Sequence, residues 1–293
     1  MRIAVAGSVG RDHLMTFPGK FTDSLVAESL EKVSLSFLVD GLDVRRGGCA
    51  ANISFGMGML GLRPTLIASV GKDWDDYQAW LNRHGVDTSE AREIELAPVM
   101  EKSGRFDLVM ISPDDPEAMV RHTDSCRGAG IPFAADPSQQ LARMNGDEIR
   151  TLIDGATYLF LNEYELALAM QKTGWSDEEI LSRVGTRVVT LSSDGAKVER
   201  KGEKEVRVSV PKEKAKVDPT GVGDAFRSGY LAGIAWGLEA ERCAQLGSMI
   251  ATYVIETKGT QEYRFNKSSF LARFTGAYGA QSASEIEPHL QIA

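Results

Sequence analysis

The stretch VDPTGVGDAFRSGYLAG, residues 217–233, decides how this chain is read. Asp218-Pro219 closes an extended segment. Thr220 to Gly223 form a loop, and an apolar helix is expected from about Asp224 to Leu238. Gly221 and Gly223 leave backbone N–H groups uncovered at the positive end of that helix, where an anion such as phosphate is held. Asp224 then has two readings. It is the helix N-cap, or it is a carboxylate set beside a phosphate cradle to take the proton from an attacking hydroxyl. These residues alone leave both open.

Working outward, short apolar runs alternate with amphipathic ones. Strands are expected at 2–8, 65–71, 106–112, 131–138, 156–162 and 186–193. Helices are expected at 47–61, 73–85, 115–130, 146–155, 176–185 and 239–257. Several helices open on an acid or Ser and close on Gly, the usual cap asymmetry. Near-continuous apolar strands between helices imply an α/β fold: a doubly wound, mostly parallel sheet with helices on both faces. Two stretches break that rhythm by alternating with period two. KVSLSFLVDGLDVRRGG (32–48) reads as strand–turn–strand off the main sheet, and KVERKGEKEVRVSVPKEK (197–214) as an exposed hairpin. The tail from about Gly276 is small and polar and reads as peripheral. With no repeat or low-complexity linker, residues 1–293 read as one domain with a small β-sheet lid.

The 293 residues carry a net charge of −8 and no basic run, which argues against a nucleic-acid partner. Three scattered cysteines without a CxxC pair read as free thiols of a reducing, cytoplasmic compartment. No apolar run reaches membrane length, and four histidines without HExxH spacing argue against a transition-metal site.

Gly56-Met57-Gly58-Met59-Leu60-Gly61 fits GxGxxG literally, but it lies inside an apolar helix instead of the strand-to-helix turn a dinucleotide needs. Close helix packing accounts for it better. No GxxxxGK[ST] or GxSxG occurs. Gly47-Gly48 before Cys49-Ala50-Ala51-Asn52 reads either as a turn at a helix start or as a close approach to a ligand, with Asn52 bonding hydroxyls. Asp12, just past the first strand, lies where open α/β sheets bind ligands, and it could accept from two vicinal hydroxyls. Asn162 and Glu165 share one face of a helical turn. They read as a cap, or as a pair holding water around Mg²⁺.

Together these motifs resemble the ribokinase-like PfkB family of sugar and nucleoside kinases. The signature Asp218-Pro219-Thr220-Gly221-Val222-Gly223-Asp224, the pair Gly47-Gly48 with Asn52, and Asn162-x-x-Glu165 fit that family in order and spacing. Val222 replaces its usual Ala. Within the family the chain is most similar to the actinobacterial adenosine kinases, through GSVGRDHLMTFPGKF, VSLSFLVDGLDVRRGG, AADPSQQLAR and ETKGTQEY. The resemblance implies ATP as co-substrate, Mg²⁺, and K⁺ near Asp218 and Thr220. It implies Asp224 as catalytic base and the amides of Gly221, Val222 and Gly223 as anion hole. It puts Ser8, Asp12, Ser36, Gly48 and Asn52 at the ribose, Arg143 at phosphate, and Asn162, Ser192, Gly195 and Gly223 at ATP. The acceptor it implies is a nucleoside, most readily adenosine, with a free sugar or a non-catalytic nucleoside binder as rivals. It also implies a homodimer through lid strands. Those strands are expected within about 32–46 and near 89–105, where the chain is about one supersecondary unit shorter than the family pattern, either truly or by omission.

Overall fold

A computed structural model describes residues 1–16, 39–90 and 95–292. Ser36 and the expected strand over 32–38 lie outside these described residues. The main sheet has eight strands: β1 (Ile3–Ala6), β4 (Thr65–Ile67), β5 (Leu108–Ile111), β6 (Phe133–Ala135), β7 (Tyr158–Asn162), β8 (Thr186–Thr190), β9 (Ala196–Glu199) and β10 (Val206–Val208). Their order is β10-β9-β8-β7-β6-β5-β1-β4. All pairs from β4 to β8 are parallel, with Ala4 opposite Thr65 at one end and Tyr158 opposite Thr186 at the other. The strands IAVA and LVMI are buried at every position, as a sheet covered on both faces requires.

Two apolar layers flank the sheet. One packs α1 (Cys49–Met59), α2 (Asp75–Arg83), α8 (Val222–Ala235), α9 (Ala240–Ile255), α10 (Lys267–Tyr278) and α11 (Ala280–Ile286) over one face. The other packs α3 (Leu96–Ser103), α4 (Pro116–Ala129), α5 (Gly146–Ile153), α6 (Glu163–Thr173) and α7 (Asp177–Arg183) over the opposite face. The GxGxxG stretch does pack helices. A Cβ at Gly56 would fall 2.2 Å from Ser228 Oγ, so the glycine lets α1 lie directly on α8.

The 41–47 segment forms a strand off the main sheet as expected, β3 (Gly41–Gly47), and it pairs antiparallel with β2 (Gly10–Thr16), a strand the sequence reading missed. Three expectations need correction. The 197–214 hairpin is not a free appendage, because β9 pairs with β8 and extends the main sheet. Near 89–105 the described residues hold a helix in place of lid strands. Leu96 and Val99 of α3 sit one turn apart in the core, and buried Glu90 accepts from Lys102 Nζ (3.1 Å) and Ser103 Oγ (3.0 Å). The tail is not peripheral either: Ala283, Ile286 and Leu290 are buried in the same apolar layer as α8 and α9.

Candidate functional site

The carboxyl ends of β1, β6, β7 and β8 open on one side, and there Ser8, Ser138, Asn162 and Ser192 line a single cavity of about 1060 Å³. Open α/β sheets place ligands at this edge, and the volume is large for one small ligand. Ser138 (φ 42°) and Ser192 (φ 53°) hold the left-handed conformation unusual for non-glycine residues, and both stand on this wall. The opposite wall is the start of α8, with Asp224 on its first turn. The small sheet β2–β3 overhangs through Gly10, Arg11 and Asp12.

α8 begins at Val222, two residues earlier than expected, because Gly221 (φ 75°) turns the chain in a left-handed step. Val222 N–H turns back to Pro219 O (3.3 Å), so of the three expected anion-hole amides it already has a partner. The N–H groups of Gly223 and Asp224 are left for an anion, with Gly221 N–H just before them. Asp218 ties this loop from behind. Its Oδ1 accepts from Thr220 N–H (2.9 Å) and its Oδ2 from Gly259 N–H (3.0 Å). Burial pushes this carboxyl up, but those bonds outweigh it and hold the group below its ordinary value.

Asp224 is half-buried, and its Oδ2 accepts from Asn52 Nδ2 at 2.9 Å. Desolvation pushes its carboxyl above the ordinary range, while the Asn52 bond and the Arg227 charge oppose that push. Asp12 is half-buried on β2. Burial and the neighbouring Asp218 charge raise it too, and its Oδ2 is buried without a protein partner. An acceptor of this kind suits a hydroxyl-bearing ligand. Gly48 must be glycine. Its φ is 92°, and a Cβ there would fall 2.6 Å from Ser8 O and Val9 Cα.

Other expected residues serve the scaffold as well as the cavity. Ser8 Oγ accepts from Cys49 N–H (3.1 Å) and so caps α1. Asn162 and Glu165 form a reciprocal capping box at the start of α6: Asn162 Oδ1 takes Glu165 N–H, and Glu165 Oε2 takes Asn162 N–H, both at 2.8 Å. Gly195 lines the cavity next to Ser192. Arg143 is exposed at the end of the 3-10 turn Ser138–Ala142 and does not line the cavity.

Two arginines line it, Arg11 on β2 and Arg227 on α8, and the sequence reading named neither; Arg227 is the buried one. It is buried three residues after Asp224, with Nη2 at 2.5 Å from Asp136 Oδ1 and 4.0 Å from Glu165 Oε2. Its Nη1 lies 2.9 Å from where a Cβ on Gly223 would be, directly beneath the amide loop. One charge inside the apolar run AFRSGYLAG was the available signal, since a buried charge needs a partner.

The family model of the pfkB carbohydrate kinases matches residues 19–98 and 91–266. The chain belongs to that family. It is a phosphotransferase acting on a hydroxyl group, with a ribokinase-like fold. The nucleoside kinase of Burkholderia thailandensis, solved in complex with inosine, is 30% identical with a TM-score of 0.84, over 94% of this chain and 98% of that one. The nucleoside kinase of Methanocaldococcus jannaschii is 26% identical over 73% of this chain and 80% of its own length. The cytidine kinase of Thermococcus kodakarensis is 24% identical over 73% of this chain and 88% of its own. Among the described residues no helix is long and apolar enough to cross a membrane.

Proposed function

We propose that this pfkB kinase transfers the γ-phosphoryl group of ATP to the 5′-hydroxyl of a ribonucleoside, with adenosine the preferred acceptor and the start of α8 as the phosphoryl-transfer end of the cavity. The observation that carries the reading is the half-buried Asp224 carboxylate, held by Asn52 at the mouth of the amide loop, in one cavity with Asp12. Asp12 accepts from the two vicinal ribose hydroxyls, which points the 5′-hydroxyl toward α8. Asp224 takes that proton as the oxygen attacks the γ-phosphorus and the bond to ADP breaks. The amides of Gly221, Gly223 and Asp224 hold the developing charge. ATP extends toward Ser192 and Gly195. The nucleoside kinase relatives support a nucleoside acceptor, and the likeness of ADPSQQLAR to adenosine kinases supports adenosine among the purines.

Asn162 and Glu165 fit a water-bound Mg²⁺. Both line the cavity, and their capping box leaves Glu165 Oε1 free to accept from a metal-bound water. Bound with ATP, the ion neutralises charge on the β- and γ-phosphates. Asp218 and Thr220 fit K⁺ less well. Both Asp218 oxygens are taken by amides, and the Lys258 ammonium already lowers that carboxyl.

The test is ADP release with adenosine, inosine, cytidine, ribose and fructose, each alone and in competition. Adenosine is expected to give the highest kcat/KM. Turnover with ribose or fructose and none with nucleosides would make the chain a free-sugar kinase.

A homodimer through the lid sheet belongs to the same reading. In the register of β2 with β3, His13 faces Val44 and Met15 faces Leu42. Met15, Leu42 and Val44 are about half exposed, forming an apolar row that points away from Asp12. Light scattering should give twice the chain mass, and Leu42→Glu with Val44→Glu should halve it. A monomeric wild-type chain would reject the dimer.

A further inference from the structure

Gln261 is fully buried and lies in no strand or helix. Its Oε1 accepts from Trp80 Nε1 (3.0 Å). Its Nε2 donates to Asn52 Oδ1 (2.9 Å) and to Tyr77 Oη (2.5 Å). Tyr77 Oη in turn donates to Gly47 O (2.8 Å) at the root of the lid. Asn52 Oδ1 also lies 2.8 Å from Thr260 Oγ1, and Asn52 Nδ2 donates to Asp224.

The polarity of this chain of bonds follows from one group. An indole N–H can only donate, so Gln261 must turn its oxygen to Trp80 and its NH₂ to Asn52. Asn52 must then turn its oxygen to Gln261 and its NH₂ to Asp224. Both side-chain N–H groups of Gln261 and its amide oxygen are hydrogen-bonded. The Trp80 ring that anchors the chain of bonds is itself fixed, stacked on Phe55 at 6.0 Å and covered by the Arg46 guanidinium at 4.3 Å.

We infer that Gln261 is a positioning residue for phosphoryl transfer: it fixes the Asn52 amide so that Asp224 always meets an N–H donor on Oδ2 and keeps its other oxygen for the acceptor hydroxyl. The inference rests on the proposed function and assigns Asn52 a task beyond ribose contact. Asn52 also lines the cavity, and its Nδ2 bonds no protein group but Asp224, which leaves its second proton for substrate.

The other charged and titratable groups that face Asp224 are Arg227 on its own helix, Cys49 on α1, Asp12 on β2 and Asp136 after β6. Substitution of Gln261 leaves all of them in place. Gln261→Glu replaces the NH₂ with an oxygen, so Asn52 either loses a donor or flips and turns its oxygen on Asp224. A flip removes the bond that favours the charged carboxylate, and loss of the donor leaves the Asn52 amide less firmly aimed at it; either way the pKa of Asp224 rises.

The experiment is the pH profile of kcat with adenosine for the wild type, Gln261→Glu, Gln261→Met and Asp224→Asn. Gln261→Met keeps the volume, removes the polarity, and serves if the glutamate variant does not fold. Both Gln261 variants are expected to lose about tenfold or more in kcat and to move the acid limb up by about one pH unit. KM for adenosine should stay within about threefold, an estimate for a residue that does not touch substrate. A fall in kcat with the acid limb unmoved, or wild-type kinetics, would overturn the inference while Asp224→Asn stays inactive. Turnover retained in Asp224→Asn would instead overturn the underlying reading, and the inference with it.

Discussion

Asp224→Asn is expected to lower kcat by about 10² to 10⁴-fold, the range a positioned general base contributes, with nucleoside affinity nearly unchanged. The substitution preserves shape, and the new amide can still bond Asn52 after one rotation. It removes only the ability to accept the hydroxyl proton. The pH dependence has a definite sign. Burial raises the Asp224 carboxyl, and Asn52 and Arg227 restrain it. The base acts only when ionised, so the rate falls as pH drops through that raised value. The acid limb of the wild-type profile therefore lies above the ordinary carboxylate range, and the asparagine variant lacks it. Steady-state kinetics with calorimetric nucleoside binding checks both halves. Unchanged kcat would remove Asp224 from the chemistry.

Arg227→Met is expected to destabilise the fold by about 3–5 kcal/mol, the usual cost of removing one partner from a buried ion pair. Asp136 is fully buried and bonded to Arg227 at 2.5 Å, with Glu165 at 4.0 Å and Asp224 one turn before it on α8. Without the guanidinium, three carboxylates share a desolvated pocket. Burial already pushes Asp136 up, and loss of the cation pushes it further above its unfolded value. A carboxyl raised in the folded state favours folding at low pH and loses that contribution as pH rises through the folded value. The deficit of Arg227→Met should thus be larger at pH 8 than at pH 5. Adding Asp136→Leu should recover part of it, because a matched apolar pair leaves no orphan charge. Urea unfolding at the two pH values measures this. Equal deficits at both would mean that the pair is not the source of the loss.

What the sequence made legible follows from what each contact depends on. β1, β5 and β8 were readable because a strand buried on both faces shows as a local apolar run. β2 was not, because GRDHLMT is mostly exposed or half-buried and becomes a strand only by pairing with residues 41–47. α3 was hidden by a family expectation of lid strands, although Leu96 and Val99 already carried helical spacing. Helix boundaries near glycines shifted by two residues at α8, where the positive φ of Gly221 starts the helix early.

The site divides in the same way. Asp224, Asp12, Gly48 and Asn52 stood in motifs and do meet around one cavity. Arg143 was placed on resemblance alone, and the chain turns it to solvent. Gln261 carried no charge and no motif of its own. Its place depends on Trp80 and Tyr77, more than 180 residues away, and no local pattern encodes that.

Phosphoryl transfer to the nucleoside 5′-hydroxyl is tested most directly by the proton-coupled ³¹P spectrum of the product formed from ATP and adenosine. The expected signal is a phosphate ester coupled to the 5′-methylene protons of the nucleoside, growing in step with ADP. ADP accompanied only by inorganic phosphate, or an ester formed with ribose or fructose and never with a nucleoside, would contradict it.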